Sequence, residues 1–343
     1  MRIRATLINV GLLFATLFLL FAGMEIAIRV TGLVSVKPTP PQIYQVSADS
    51  RLGYELRPSI RERAFRTTVT TNSVGLRTHV GENPDETARA IAVLGDSFTF
   101  GYGVEDSETL PARLQELFPS FRFLNAGVPG YELPQETAFY EDKVAPLKPQ
   151  ALILVFYFND LHWHEPAVLD GEGNLREPGW TPEEEPDCRP IEEGILGYIP
   201  GRCWLDRHSA LYVAAKKFVA MRQGQEDLRI QREEAREPDA KDPVTEEELT
   251  RYAAQLQAFT ATLGDLPRLF VIWPDKLLHT ESRPKLKEIA EANGFEVIDL
   301  YERFGNEART LAWDTVHPHP DTIVEAAAFL KPAVEELLRA TGY

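Results

Sequence analysis

Ile91-Ala92-Val93-Leu94-Gly95-Asp96-Ser97-Phe98-Thr99-Phe100-Gly101-Tyr102-Gly103 is the stretch whose reading decides the fold. Four apolar residues run into Gly-Asp-Ser, and a short apolar run closed by a turn signal is a buried strand feeding a tight turn. Ser97 thus stands just past the C-terminal end of a strand. Open α/β sheets bind ligands there, because the following helices aim their N-terminal N–H groups into the crevice. A serine in that place is a candidate acyl-transfer nucleophile whose own N–H can face an oxyanion, and it is equally placed to cap a helix.

Outward from this stretch the chain alternates strand and helix. Leu110, Leu114 and Leu117 fall at i, i+4 and i+7 and predict a helix over Thr109–Leu117. Phe121–Leu124 is a second strand, ending in Asn125-Ala126-Gly127-Val128-Pro129-Gly130, and a helix follows over Pro134–Ala145. Ala151–Phe158 carries only apolar and aromatic side chains, the pattern of a central parallel strand covered on both faces. It ends in Asn159-Asp160. Further on, Arg268–Trp273 reads as a fourth strand, Arg283–Asn293 as a helix, Phe295–Ile298 as a fifth strand and Asp321–Ala340 as a last helix. Strands separated by helices predict an α/β fold with a five-stranded parallel sheet.

At the N-terminus, Ala5 to Met24 is uncharged, about the ~20 residues that a helix needs to cross the hydrocarbon core. Arg2 and Arg4 hold that end in the cytoplasm by the positive-inside rule and place the rest of the chain outside it. A cleaved signal peptide would have an apolar core of only ~7–15 residues before an A-x-A-like site, a poor match here. Residues 1–30 therefore read as a transmembrane anchor and 31–64, rich in Pro, Ser and Val without helical period, as an extended linker. Residues 65–343 read as the main domain, opening with an edge ribbon over Phe65–Thr78.

A long interruption, about 161–266, predicts helices over Ser209–Arg236 and Thr245–Leu263. Ten Asp/Glu against four Lys/Arg between Gln225 and Thr250 fit a solvated helical hairpin, whereas its length fits a pocket-shaping lid. His162 and His164 at its start are too few for a metal site. The 343 residues carry a net charge of −16, which argues against a nucleic-acid partner. Cys188 and Cys203 are the only cysteines and lack the Cys/His spacing of a zinc site. In an exported segment such a pair can close a loop worth roughly 3 kcal/mol, and a disulfide is expected.

The chemistry sits near the C-terminus, in Asp314-Thr315-Val316-His317-Pro318-His319-Pro320. An Asp and a His three apart on a turn can point the same way, the carboxylate holding Nδ1–H and leaving Nε2 free. A capping Asp beside a surface His has the same spacing. His319 is the other possible base, but it lies five residues from Asp314 with prolines on both sides, which bias it to extended backbone pointing elsewhere. His317 is therefore assigned. Gly130 N–H and Asn159 Nδ2, with Ser97 N–H, would place three donors around one oxygen, although a turn glycine and a turn asparagine are common in their own right.

Gly95-Asp96-Ser97, Asn125-Ala126 with Gly130, Asn159-Asp160, and Asp314-x-x-His317 with Pro318 together resemble the four blocks of the SGNH (GDSL) hydrolase superfamily, over roughly residues 88–162 and 268–340. The resemblance implies a flavodoxin-like three-layer α/β/α fold, a serine nucleophile without the G-x-S-x-G elbow, and ester hydrolysis or acyl transfer on lipids, thioesters or acetylated glycans. The anchor followed by Asn72-Ser73-x-Gly75-Leu76-Arg77 is similar to membrane-tethered bacterial members. Tyr157 departs from the family's pattern, standing where a glycine precedes the third-block asparagine, and so does His319. The expectation is a single-pass, membrane-anchored serine esterase facing the periplasm or cell exterior, with Ser97, His317 and Asp314 as its triad and neither metal nor cofactor. An acyltransferase using the same site and a non-catalytic glycan-binding or assembly protein are the alternatives.

Overall fold

The computed structural model describes residues 2–36, 40–79, 88–162, 165–181 and 199–342. The chain divides into two compact units, one of residues 1–39 with 180–225 and one of 40–179 with 226–343. In chain order the elements are α1 (Arg2–Thr31), β1 (Tyr44–Val46), β2 (Tyr54–Leu56), β3 (Arg61–Ala64), β4 (Thr67–Thr70), β5 (Ala90–Gly95), α2 (Ser97–Phe100), α3 (Leu110–Leu117), β6 (Arg122–Gly127), α4 (Leu133–Phe139) and β7 (Ala151–Phe156). They continue with β8 (Val168–Leu169), β9 (Leu175–Arg176), α5 (Arg202–His208), α6 (Ala210–Glu234), α7 (Glu246–Leu263), β10 (Arg268–Ile272), α8 (Ser282–Ala292), β11 (Glu296–Asp299), α9 (Tyr301–Phe304) and α10 (Pro320–Ala340).

In the first unit, Thr6–Thr31 of α1 has a mean hydropathy of 2.2 and is long and apolar enough to cross a membrane. Close to its C-terminal end, the Glu25 carboxylate accepts from Ser209 Oγ (3.0 Å) and from the first backbone N–H groups of α6, Ala210 (2.9 Å) and Leu211 (2.8 Å). A helix leaves those donors without intrahelical partners, so an acid side chain meets both their hydrogen-bonding need and their partial charge. Cys203, in α5, is disulfide-bonded. Cys188 and His164 lie outside the described residues.

The second unit is built on a five-stranded sheet in the order β11-β10-β7-β5-β6, parallel throughout. Alternate residues of its strands feed two separate cores. Ala92, Leu94, Leu152, Leu154 and Phe156 pack on the face that carries α4, α7 and α8, while Ile91, Val93, Ile153 and Val155 pack on the face that carries α3 and α10. All six residues of β7 are buried. With each large aliphatic side chain contributing about 1.5–3 kcal/mol on burial, this central strand fixes the three-layer α/β/α arrangement.

Two stretches differ from their sequence reading. Residues 44–64, expected as extended linker, form the antiparallel pairs β1–β2 and, with the next residues, β3–β4, and bury Ile43, Leu52, Tyr54 and Leu56 in the sheet's first core. Pro- and Ser-rich sequence without helical period suits short strands joined by turns as well as it suits a linker. The expected strand Ala151–Phe158 stops at Phe156, because the Tyr157 N–H donates to Asp160 Oδ2 (3.2 Å) and the chain turns into a 3₁₀ segment at Phe158–Leu161. The helices expected over Ser209–Arg236 and Thr245–Leu263 are α6 and α7. Between Val168 and Arg176 the insertion also contains the short β8–β9 hairpin.

Candidate active site

The strand β5 delivers Gly95-Asp96-Ser97 to the C-terminal edge of the sheet. Helix capping falls to Asp96, whose Oδ1 accepts from Phe98 N (2.9 Å), so the Ser97 hydroxyl is not used as a cap. Helix α2 then crosses β6 so closely that a Cβ on Gly127 would lie 2.1 Å from Phe100 N; only glycine allows this approach. On the neighbouring strand Asn125 Oδ1 accepts from Gly127 N (3.1 Å) and its Nδ2 donates to Phe100 O (3.2 Å), tying α2 to β6.

The turn before α10 brings the other groups to Ser97. Asp314 Oδ1 accepts from the backbone N–H of Val316 (2.8 Å) and His317 (3.0 Å), which fixes the turn and the carboxylate together. His317 Nδ1 lies 2.8 Å from Asp314 Oδ2, and Nε2 lies 2.8 Å from Ser97 Oγ. Burial pushes the Asp314 carboxyl up, but the hydrogen bond and charge of His317 and the two backbone donors outweigh it and hold the group below its ordinary value. His319 faces away from this set: its Nδ1 accepts from Asp321 N (3.2 Å) as the N-cap of α10.

Asn159 is held beside the same groups, its Nδ2 donating to Asp96 Oδ2 (2.9 Å). Complete burial pushes the Asp96 carboxyl up, opposed by the Phe98 N–H, the Asn159 amide and the His317 charge. Gly130 has φ +81, a left-handed conformation that glycine adopts without a Cβ clash, and the preceding Pro129 carbonyl is held by the Tyr54 hydroxyl at 2.6 Å. His162, at the head of the insertion, pairs with Glu248 at 3.0 Å.

Aromatic rings enclose the imidazole. Tyr102 stacks on His317 with centroids 4.2 Å apart, and the Phe98 ring lies 5.5 Å from it, tilted. Phe65 packs on Tyr102 at 4.2 Å, and the Arg66 guanidinium lies 4.6 Å from the Trp313 ring centroid. These two residues form the tip of the β3–β4 hairpin, so the ribbon expected beside the main domain reaches the site. Buried Arg77 joins the parts: it donates to the carbonyls of Phe100, Gly101, Val104 and Thr68 and pairs with Asp106 at 2.8 Å. Tyr54, Arg66 and Tyr102 carry no sequence signal for these roles beyond the aromatic density of Phe98–Gly103.

A parallel α/β sheet presenting a serine at a strand end, against an imidazole and a carboxylate, is the arrangement of a serine hydrolase. Residues 93–322 match the model of the GDSL-like lipase/acylhydrolase family. A search of the curated proteins finds no match. Among solved structures, the chain is similar to a lipase/acylhydrolase from Enterococcus faecalis at 13% identity, covering 74% of this chain and 96% of that one, with a TM-score of 0.40. It is also similar to TesA at 11% identity (73% and 99% covered, TM-score 0.40) and to AlinE4, an SGNH-hydrolase family esterase, at 16% identity (74% and 97% covered, TM-score 0.35). The chain belongs to the GDSL-like lipase/acylhydrolase family, within the SGNH hydrolases.

Proposed function

We propose that this protein is a membrane-anchored esterase in which Ser97 is the nucleophile, His317 the general base and Asp314 the group that orients it. The observation that carries the reading is the pair of 2.8 Å contacts from one imidazole, to Ser97 Oγ and to Asp314 Oδ2. Ser97 Oγ attacks the ester carbonyl as His317 Nε2 takes the hydroxyl proton. Collapse of the tetrahedral intermediate breaks the bond to the alcohol, which leaves with that proton and gives the acyl-enzyme. Water then enters, loses a proton to His317 and releases the acid, while Ser97 recovers its hydrogen. The N–H groups of Ser97 and Gly130 and the Asn159 amide receive the oxyanion.

The substrate side of the reading covers an ester-bearing small molecule, lipid or acetylated glycan. Transfer to a glycan hydroxyl in place of water needs the same acyl-enzyme and is the second outcome tested. Helix α1 carries the chain in the membrane, with Arg2 and Arg4 on the cytoplasmic side. The full chain in detergent should release p-nitrophenol from p-nitrophenyl acetate, with acetyl appearing on an added glycan only if it is a transferase. Ser97→Ala and His317→Ala should lose activity by many orders of magnitude and Asn159→Ala by about 10²–10³-fold, whereas His319→Ala should keep most of it. A Ser97→Ala variant with wild-type rates refutes the reading.

A further inference from the structure

The register of the central strands places an unexpected side chain beside the nucleophile. Gly95, the last residue of β5, pairs with Val155 of β7, so the two strands end side by side about 4.8 Å apart, and Ser97 and Tyr157 each follow two residues after that pair. The Tyr157 ring lies on Phe98, centroids 4.1 Å apart, and Phe98 in turn flanks His317. A glycine in this position would leave that volume open; here a phenol ring fills it.

The ring is fixed from its far end. Tyr157 Oη donates to Asp275 Oδ1 (3.1 Å), and Asp275 Oδ2 lies 3.1 Å from His279 Nε2. The other imidazole nitrogen lies 3.2 Å from Asp242 Oδ1, in the segment joining α6 to α7. Asp242 is itself held by Ser282 through N–H and hydroxyl, both at 2.8 Å. His279 is 4% exposed, has φ +49 and stacks on Phe158 at 3.5 Å. A buried non-glycine residue in left-handed backbone, with both ring nitrogens engaged by carboxylates, is a fixed strut and not a surface group. The chain Asp242–His279–Asp275–Tyr157 therefore runs from the insertion to the wall of the site.

We propose that Tyr157 is the specificity-determining wall of the acyl pocket, that Asp275, His279 and Asp242 are positioning residues for its ring, and that the substrate is consequently an ester of a short acyl group such as acetyl. The proposal rests on the reading of Ser97 as nucleophile. It gives the insertion a definite part, since residue 242 supplies the outer end of the strut.

The test compares p-nitrophenyl acetate with p-nitrophenyl hexanoate, using the full chain in one detergent. Wild type should favour acetate by at least tenfold in kcat/KM, and Tyr157→Gly should move the ratio at least tenfold toward hexanoate, because hydrophobic pockets discriminate by about 10–200-fold per methylene. Tyr157→Phe keeps the ring and should keep most of the preference. Asp242→Asn should shift the ratio part of the way with the acetate KM unchanged, which general destabilisation would not do. A wild type that cleaves hexanoate as well as acetate overturns the proposal, as does a folded Tyr157→Gly with the wild-type ratio. Thermal melts with hexanoate give a readout independent of catalysis: the ligand should raise the Tm of Tyr157→Gly and leave wild type unchanged. If that shift occurs while neither protein hydrolyses esters, the pocket assignment stands and the nucleophile assignment falls.

Discussion

Glu136 and Asp160 are buried next to the site, and Glu136 Oε1 and Asp160 Oδ1 have no hydrogen-bond partner among the described residues. Burial pushes both carboxyls well up, and the charges of Asp96 and Glu132 act on Glu136 in the same direction. The folded state thus holds protons that the unfolded chain releases. Stability from this source is fully present below the ordinary glutamate value of 4.5 and is lost as the pH rises through the higher folded-state value. Glu136→Gln, which stays neutral, should raise Tm by a few degrees at pH 8 and leave it unchanged at pH 4; thermal melts across that range decide it. Neither carboxyl was legible in this role. Glu136 lies in a helical stretch with nothing to single it out and Asp160 was read only with Asn159 at a strand end, whereas Ser97, Asp314 and His317 stood out because their chemistry admits few residue types at strand ends and turns.

Strand elements were legible in proportion to their burial. The apolar runs of β5, β7 and β10 can only be covered strands, while Arg61–Ala64 of β3 carries three exposed polar residues and shows no such pattern. Its hairpin has a two-residue turn, Phe65-Arg66, with φ of +52 and +69, where Asn-Gly is the sequence that such backbone favours. Instead of that turn signal the tip carries two side chains that pack beside the candidate site, against Tyr102 and Trp313. Each costs of order 1 kcal/mol in this conformation. Replacing the pair by Asn-Gly should therefore raise Tm or leave it unchanged and lower esterase kcat/KM several-fold, measured on the same preparation. A loss of stability with unaltered kinetics would show that the turn serves folding alone.

Helix α1, the proposed anchor, carries large apolar side chains on its outside. Leu7, Phe14, Phe18 and Leu19 are each at least 67% exposed, apolar surface that water does not favour and lipid does. Protease added to intact spheroplasts should digest everything beyond α1, and full protection would place the catalytic unit on the cytoplasmic side. The contact between His317 and Ser97 joins positions 220 residues apart. At about 5–20 residues per second, His317 leaves the ribosome roughly 10–45 s after Ser97. With α1 as the proposed anchor, the chain would enter the membrane before the proposed base is made. The proposed triad would be complete only once the segment carrying His317 docks against Ser97.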